Sequence, residues 1–269
     1  MTPYLYIRSH ILTSRLQPTF DFARINIVNM MAASYPKRQS IEPELSNAPV
    51  ARPQRKIIHG HFITLQPLLP EHADDLYDVV GGSEHERVSL WDFMPVGPFT
   101  TRQAFQSYIT QCAESNDPLF FAVLDQVSGK PIGYLSLMRI DTTNRVIEIG
   151  HVMFSKLLQR TRGATECFYL LTRLVFDELG YRRCEWKCNN LNEPSKRAAL
   201  RLGYTFEGLF RQHMIVKGRN RNTAWFSVID CEWPAVKTAF ELWLDPNNFD
   251  ELGNQRQALA ALRKNQLSV

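Results

Sequence analysis

The turn at residues 159–165, which reads Gln-Arg-Thr-Arg-Gly-Ala-Thr, is the part of the chain whose residue types most directly suggest chemistry. It stands before an amphipathic stretch, so its end should open a helix. A helix N-terminus presents N–H groups without acceptors and the positive end of the helix dipole, and both attract phosphate groups. Arg160 and Arg162 add charges that suit phosphate, and Gly163 eases the turn. The turn predicts a polyphosphate site, with an ordinary basic loop before a helix as the alternative.

A second helix start lies at Asn192-Glu193-Pro194-Ser195. Asparagine is a favoured N-cap residue and proline fits the first helical turn, so Asn192 and Pro194 have a structural explanation. Gly203 should end this helix as a C-cap glycine. The motif therefore predicts a capped helix, whichever further role its side chains have.

Residue periodicity places the two helix starts in a mixed α/β chain. Strands are predicted at 61–66, 119–124, 132–140, 145–153, in a short run ending at 187, at 205–216 and at 223–229. Helices are predicted at 71–80, 84–91, 101–114, from 164 towards 180, at 192–202, 233–244 and 250–264. The order is one strand, several helices, an antiparallel meander, two β-α passages and a hairpin.

Composition divides the chain into three parts. Residues 1–56 are rich in proline, serine, asparagine and basic residues, which predicts a poorly structured N-terminal extension. Residues 57–246 form the predicted domain, and residues 247–269 a C-terminal helical extension that packs on the domain, on another chain or on nothing. The first ~35 residues are compatible with a mitochondrial transit peptide. A leader, or a later start at Met30 or Met31, is the simpler interpretation.

The bulk composition indicates a globular protein, with 44% hydrophobic and 22% charged residues and a net charge of +4. The charge is spread along the chain, so we expect no nucleic-acid partner. No apolar run approaches the ~20 residues that span a bilayer, so we expect no membrane partner either. The five cysteines lack a framework spacing and predict free thiols in a reducing compartment. We therefore expect a cytoplasmic protein, or a mitochondrial one if the extension is a transit peptide.

A metal site is not expected from these cysteines. Cys184 and Cys188 should face one side of a strand, which is compatible with a zinc pair. However, no second Cys or His pair of zinc-finger spacing accompanies them, so buried or half-buried free thiols are the better interpretation.

In combination, these motifs resemble the Gcn5-related N-acetyltransferase (GNAT) superfamily, and within it the branch that includes the ribosomal-protein N-terminal acetyltransferases. The resemblance covers about residues 57–235. It rests on Glu148-Ile149-Gly150 before the turn, on the turn itself, and on Asn192-x-x-Ser195-x-Arg197 followed by Leu202-Gly203-Tyr204. It implies a single α/β GNAT (acyl-CoA N-acyltransferase) fold with a mixed, mostly antiparallel central sheet flanked by helices. It also implies acetyl-CoA as co-substrate and an amine as acceptor.

The resemblance assigns contacts to acetyl-CoA residue by residue. The turn would hold the pyrophosphate, Asn192 the pantetheine arm, and backbone amides near Val152 and Met153 the oxygen that gains charge. Ser195 stands where some relatives place the hydroxyl that protonates the leaving thiolate. The implied cofactor-binding residues are Val152, Met153, Gln159, Arg160, Thr161, Arg162, Gly163, Ala164, Asn192 and Ser195.

The proton of the attacking amine needs an acceptor, for which Glu148, His151 and His213 are the candidates. Other GNAT enzymes place a carboxylate that acts through water at the position of Glu148. A carboxylate that pairs with Arg145 or another basic side chain explains this residue equally well. Histidine in general titrates near neutral pH, which suits His151 to accept the proton, but a structural role also suits it. Neither a metal nor a covalent acyl-enzyme is implied.

Two positions depart from the family pattern. Arg162 occupies a glycine position of the turn, where a bulky side chain would hinder the approach of phosphates, although Gly163 beside it would restore the turn. Met214 replaces a glutamate that some relatives carry, and the neighbouring His213 should face the opposite side of the strand. The leading hypothesis is direct acetyl transfer to a primary amine, and a catalytically weak CoA-binding or sensor protein is the alternative.

The acceptor side of the molecule carries several open alternatives. Trp91, Phe93 and Met94 either wall the acceptor pocket or form a local core, and Tyr204 is either a general acid or a core residue. The basic residues of 211–221 suit an acidic acceptor or form a solvated hairpin turn. A protein N-terminus and a small amine remain alternative acceptors, and the protein is a monomer or a homodimer.

Overall fold

Eight strands form the central sheet in the computed structural model, which describes residues 45–46 and 48–266. They are β1 (Ile58–His59), β2 (Ile63–Pro67), β3 (Leu119–Asp125), β4 (Pro131–Asp141), β5 (Val146–Phe154), β6 (Arg183–Asn189), β7 (Thr205–Val216) and β8 (Arg219–Ile229). Their order across the sheet is β1-β2-β3-β4-β5-β6-β8-β7. Neighbours run antiparallel except β5 and β6, which run parallel. This arrangement confirms the predicted mixed, mostly antiparallel sheet.

Seven α-helices accompany the sheet in the described part of the chain. They are α1 (Ala73–Val80), α2 (His85–Ser89), α3 (Arg102–Glu114), α4 (Arg162–Arg173), α5 (Glu193–Leu202), α6 (Trp233–Leu244) and α7 (Leu259–Gln266). A π-helical turn at Leu174–Glu178 continues α4. Both predicted helix starts are present, because Thr161 caps α4 and Asn192 caps α5. Gly203 ends α5 with φ +103°, as predicted.

The helices cover both faces of the sheet. Neighbouring strand residues belong to different core clusters: Phe121 packs on the side of α4 to α7, and Phe120 on the side of α1 and α3. This division follows from the strand, whose successive side chains point to opposite faces. The two clusters therefore hold the sheet between two helical layers, which confirms the sheet flanked by helices that the family resemblance implies.

The parallel strands β5 and β6 pair over three residues and then separate. The paired positions are Val146 with Arg183, Ile147 with Cys184 and Glu148 with Glu185. Beyond this point β5 continues along β4 and β6 continues along β8. Their facing edges are therefore not paired with each other, and the sheet opens into a fork.

The carboxylate of Glu166 ties the first strands to helix α4. It accepts hydrogen bonds from the backbone N–H groups of His61 at 2.7 Å, Phe62 at 2.7 Å and Ile63 at 3.1 Å. Gly60 stands at the same turn, where a Cβ atom would lie 2.5 Å from a carboxylate oxygen of Glu166. This close approach requires glycine, and the contact fixes the N-terminal part of α4 against β2.

The last helix differs from the predicted 250–264. It spans Leu259–Gln266, because Asp250 starts a turn instead of a helix. The carboxylate of Asp250 accepts a hydrogen bond from the backbone N–H of Asn254 at 2.8 Å, and Gly253 adopts φ +79°. The residues between α6 and α7 form a segment without an α-helix, in which a short 3-10 helix at Pro246–Asn248 precedes the turn; we call it the C-terminal segment (residues 245–258).

Contacts with the domain begin ahead of residue 57. The backbone N–H of Val50 donates to the carbonyl of Thr142 at 3.1 Å. Residues 1–44 and 47 of the predicted N-terminal extension lie outside the described residues, and so do the leader and the later start sites considered above. Within the described residues no helix is long and apolar enough to cross a membrane.

We predict that Glu166→Ala lowers the free energy of unfolding by about 3 kcal/mol, because it leaves the backbone N–H groups of His61, Phe62 and buried Ile63 without their acceptor. Urea denaturation would measure the loss. Glu251→Ala is the matched control, since that side chain is exposed and should change stability by less than about 0.5 kcal/mol. Equal stability of the two variants would contradict the anchoring role of Glu166.

Candidate functional site

The fork holds a cavity of about 490 Å³ that collects most of the predicted catalytic residues. We call it the fork cavity. The diverging parts of β5 and β6, the start of α5 and the β7–β8 hairpin line it. Its lining includes Glu148, His151, Val152, Asn192, Ser195 and His213.

A second and larger cleft of about 950 Å³ lies between α4, α5 and the C-terminal segment. Four arginines line it, namely Arg160, Arg162, Arg197 and Arg201, and we call it the arginine cleft. None of the described residues that line it is acidic. Gln159 and Pro194 line both the cleft and the fork cavity, so the two spaces adjoin. The cleft is therefore a strongly cationic space that leads to the fork.

The predicted phosphate turn forms the N-terminus of α4 at the edge of the arginine cleft. The hydroxyl of Thr161 accepts the N–H of Ala164 at 3.1 Å and donates to the carbonyl of Leu158 at 2.7 Å, which makes it the N-cap. The N–H groups of Arg162 and Gly163 lie in the first turn and have no acceptor within the helix. The turn thus presents open backbone donors beside four guanidinium groups.

Gly163 serves the packing of α4 against β2. A Cβ atom at this position would lie 2.8 Å from Cγ2 of Ile63. A larger residue would therefore push the start of the helix away from the sheet. Packing against β2 thus explains why this residue is glycine. Its backbone N–H lies in the first turn of α4, where it has no acceptor within the helix.

Arg162 occupies a defined place beside the phosphate turn. Its guanidinium group stacks between two rings, 4.6 Å from the centroid of Phe62 and 4.7 Å from that of Phe249. The arginine that replaces the family's glycine therefore packs against Phe249 of the C-terminal segment. The local sequence pattern does not reveal this contact.

Arg201 lies deeper in the same cleft. It donates to the hydroxyl of Thr165 at 3.1 Å, and its guanidinium carbon lies 4.8 Å from the ring centroid of Trp243. Burial lowers the pKa of Arg201 from its ordinary value. Trp243 in turn donates to Gln255 at 2.7 Å, which joins this wall to the C-terminal segment. Sequence reasoning missed Arg201 and this segment, because no nearby motif marks them.

Glu148 stands at the point where β5 and β6 separate, and it forms ion pairs. Lys187 Nζ lies 3.0 Å from its carboxylate, and Arg139 Nε lies 3.4 Å away. Lys187 is only 4% exposed and also pairs with Glu185. Burial raises the pKa of Glu148, and the two cations oppose that rise. The paired-carboxylate alternative is therefore present, with Lys187 and Arg139 as the partners.

His151 lies in a bulge of β5 and lines the fork cavity. Ser136 faces Gly150 and Tyr134 faces Met153, so β5 has one extra residue at this point, and His151 adopts φ +49°. Val152 lies in the same bulge and lines the cavity, whereas Met153 is buried and rejoins the ladder.

The hydrogen bonds of His151 assign its ring proton. Because Ser136 Oγ donates its hydrogen to the carbonyl of Gly150 at 3.1 Å, we assign its contact of 3.3 Å with Nδ1 of His151 to a bond that Nδ1–H donates. The unprotonated nitrogen is then Nε2, which can accept a proton. Burial lowers the pKa of His151, which favours the neutral ring.

Ser195 has its hydroxyl fixed at the start of α5. The indole Nε1 of Trp186 donates to Ser195 Oγ at 3.0 Å, so the hydroxyl keeps its own hydrogen for another acceptor. The backbone N–H of Ser195 donates to Asn192 Oδ1 at 3.1 Å. The side chain of Asn192 therefore caps the helix, which confirms the predicted N-cap. Asn192 also lines the fork cavity.

His213 and Met214 line the same cavity, so the expectation that they face opposite sides of β7 is wrong. Phe210 pairs with Thr223 and Met214 with Arg221, which leaves three residues of β7 opposite one of β8. This bulge, with Gln212 at φ +50°, breaks the alternation.

Thr223 determines the ring proton of His213. Arg221 Nε donates to Thr223 Oγ1 at 3.1 Å, and His213 Nδ1 lies 3.0 Å from the same oxygen. Among the described residues no other acceptor takes the Thr223 hydroxyl hydrogen, which assigns it to Nδ1 and the ring proton to Nε2. Burial and neighbouring cations lower the pKa of His213. His213 is thus placed to donate from Nε2.

The remaining candidates divide between core and cavity. Trp91 is buried, and the hydroxyl of buried Tyr204 lies 3.3 Å from Cys184 Sγ, so both belong to the core. Phe93 and Met94 line the fork cavity. Cys112, Cys167, Cys184 and Cys188 are buried free thiols, Cys231 is exposed, and the described residues contain no group of three or more His, Cys, Asp or Glu placed to hold a metal.

Comparisons with known proteins agree with this architecture. The family model described as acetyltransferase (GNAT) domain matches residues 63–205. The chain is 26% identical over 182 residues to YdaF of Bacillus subtilis, a candidate ribosomal N-acetyltransferase, and the match covers 66% of this chain and 97% of the relative.

Two solved structures extend the similarity. A GCN5-related N-acetyltransferase from Brucella melitensis has 48% identity and a TM-score of 0.78, over 80% of this chain and 97% of that one. A probable acetyltransferase of the GNAT family from Chromobacterium violaceum has 38% identity and a TM-score of 0.66, over 72% and 96%.

We predict that Lys187→Met lowers the free energy of unfolding by about 3–5 kcal/mol, because it leaves Glu148 and Glu185 buried without their shared cation. Without Lys187 the pKa of Glu148 rises further. A carboxyl group whose folded pKa lies above its unfolded value costs stability at high pH and recovers it as pH falls. The loss should therefore be larger at pH 8 than at pH 5.

Urea denaturation at the two pH values measures this difference. Lys130→Met is the control, since its ion pair with Asp75 is exposed and should contribute less than about 1 kcal/mol. A loss for Lys187→Met that does not change with pH would show that the two carboxylates are not coupled through it.

Proposed function

Because the chain belongs to the GNAT family of N-acetyltransferases, we propose that it moves an acetyl group directly from acetyl-CoA to a primary amine. The observation that carries this proposal is the junction of the two spaces at Gln159 and Pro194. A cationic cleft suits the nucleotide end of CoA, and a cavity between diverging strands suits its narrow pantetheine arm and the acetyl group.

The residues present fit the charges of CoA. CoA carries a pyrophosphate and a 3′-phosphate, and the arginine cleft offers four arginines with no acid among its described lining residues. The open N–H groups at the start of α4 suit the pyrophosphate. Arg197 and Arg201, on α5, are then available for the 3′-phosphate. Phe249, which is partly exposed in the lining of the cleft, gives the adenine an apolar contact, whereas Trp243 is buried beneath Arg201.

Direct transfer forms a C–N bond and breaks a C–S bond, so the amine loses a proton and the sulfur gains one. Acetyl-CoA supplies the activated thioester. Ser195 donates the proton to the leaving sulfur, since Trp186 donates to its oxygen and its hydroxyl hydrogen, which has the Cys188 sulfur as its acceptor in this structure, can turn to the thiolate. The bulge in β5 turns backbone N–H groups near Val152 and Met153 towards the acetyl oxygen that gains charge.

His151 and Glu148 are the groups that take the proton of the amine. His151 accepts it at Nε2, because its Nδ1–H is directed to Ser136. Glu148 is held by Lys187 and acts through a water molecule, as a carboxylate in two ion pairs is a weak direct base. His213 is a poorer base in this scheme, because its Nε2 carries the proton. No covalent acyl-enzyme is required.

The acceptor is a protein N-terminus or a small amine. The similarity to YdaF, which is named as a candidate ribosomal N-acetyltransferase, supports the first. Residues at the end of α2 and in the β7–β8 hairpin line the fork cavity, and this lining is compatible with either acceptor. A protein that binds CoA without transfer is the competing function, and turnover distinguishes the two.

We predict that Ser195→Ala lowers kcat for thiol release from acetyl-CoA ten-fold or more, which corresponds to ~1.4 kcal/mol of barrier. Thiol release with a panel of peptides and small amines measures it. Ser195→Thr keeps a hydroxyl and should retain more activity, and Ser107→Ala, on α3 and exposed, should leave it unchanged. Acetyl-CoA binding without thiol release from any amine would favour the CoA-binding alternative.

We predict that Arg201→Met weakens CoA binding about ten-fold or more but leaves pantetheine binding nearly unchanged, because pantetheine lacks the phosphates. Calorimetry would give both dissociation constants. Arg201→Lys should retain part of the affinity, and exposed Arg182→Met, outside the lining of the cleft, should have no effect. An equal loss for both ligands would place the nucleotide end of CoA elsewhere.

A further inference from the structure

The fork cavity contains a cation that the transfer reaction itself does not use. Arg221 of β8 is half-buried and lines the cavity. Its Nε donates to the hydroxyl of Thr223 at 3.1 Å. Among the described residues no carboxylate lies within ion-pair distance of Arg221, and its two terminal nitrogens have no hydrogen-bond acceptor there. The positive charge of this half-buried guanidinium group is therefore not balanced by an anion among the described residues.

The neighbouring charges do not supply the missing anion. Glu148, the only acid among the described residues that line the fork cavity, is already paired with Lys187 and Arg139. Glu185 is likewise shared between Lys187 and Arg183. These carboxylates therefore have their own cations. The cavity keeps a positive charge at the position of Arg221, where burial lowers the pKa from its ordinary value.

The co-substrate does not supply the anion either. This step rests on the proposed function, in which the phosphates of CoA occupy the arginine cleft on the far side of Gln159 and Pro194. The pantetheine arm and the acetyl group that enter the fork are uncharged. An anion that meets Arg221 must therefore come with the acceptor.

His213 adds a second donor at the same place. Thr223 lies between the two residues, accepting from Arg221 Nε and donating to His213 Nδ1. This leaves Nε2–H of His213 and the terminal N–H groups of Arg221 as donors beside each other. A guanidinium and a neighbouring N–H form a favourable pair for a carboxylate. The bulge of β7 is what brings His213 to this position.

We propose that the preferred acceptor is a primary amine that also carries an anionic group, and that Arg221 and His213 bind this group while the amine faces His151. The anion belongs either to an acidic side chain next to a polypeptide N-terminus or to a small amino acid. The chemistry is the same in the two cases, so Arg221 is a specificity-determining residue in both. Among the basic residues of the hairpin, Arg211, Lys217 and Arg219 are exposed and are not among the lining residues of the cavity.

Matched acceptor pairs test the proposal. Peptides with an N-terminal serine followed by glutamate or glutamine form one pair, and glycine and glycinamide form the other. For at least one pair, wild-type protein should show a kcat/KM at least ten-fold higher for the acidic member. The pair that shows the preference identifies the source of the anion. High salt should reduce the preference, as it screens the charge.

Variants test whether Arg221 causes the preference for acidic acceptors. Arg221→Gln should abolish the discrimination within a pair while the neutral member is still acetylated, and Arg221→Lys should keep part of it. Arg219→Gln is the matched control on the same strand, and its exposed side chain should leave the preference unchanged. Calorimetric binding of the same peptides to the CoA complex gives a readout that does not depend on turnover.

The outcomes separate this inference from the proposed function. Equal turnover of acidic and neutral acceptors by wild-type protein, or a preference that survives Arg221→Gln, would overturn the inference and leave acetyl transfer intact. Absence of thiol release with every amine, together with measurable binding of acetyl-CoA, would contradict the proposed function. It would also remove the basis of the inference unless the acidic peptides still bind through Arg221.

Discussion

The site depends on one buried triad of charges at the point where the two parallel strands separate. Glu148 and Glu185 face each other in the last pair of β5 and β6, and Lys187 places its ammonium group against both. Two adjacent buried carboxylates would repel each other, so the lysine allows the strands to remain paired up to this point. Beyond it the strands separate, and their free edges form the walls of the fork cavity.

The remaining elements bring their functional groups to this opening. Helices α4 and α5 each follow one strand of the fork, so their N-termini lie at its mouth, with Thr161 and Asn192 as caps. Glu166 fixes the first of these helices against β2. The C-terminal segment then closes the outer side of the arginine cleft through Phe249. Because the two strands separate here, the groups proposed to bind anions and those proposed to transfer protons lie at the same place in the molecule.

Local signals in the sequence predicted the elements and many of the residues that line the site. N-cap side chains, a C-cap glycine and strand alternation depend on residues a few positions apart, so the start of α5 and Gly203 could be read directly. The same signals failed where tertiary contacts override them. Asp250 begins a turn instead of a helix, and the bulge before Met214 moves His213 into the cavity against the expected alternation.

The sequence by itself determined the fold class, the family resemblance and the types of residue available for phosphate binding and proton transfer. The tertiary structure decided which of them meet. Arg162 stacks on Phe249, Glu148 pairs with Lys187, and Arg221 is left without a carboxylate among the described residues. The first two contacts join residues from different elements, and the third depends on where β8 places Arg221 in the fork cavity. Their contacts depend on strand register, bulges and helix packing, which local composition and spacing do not encode.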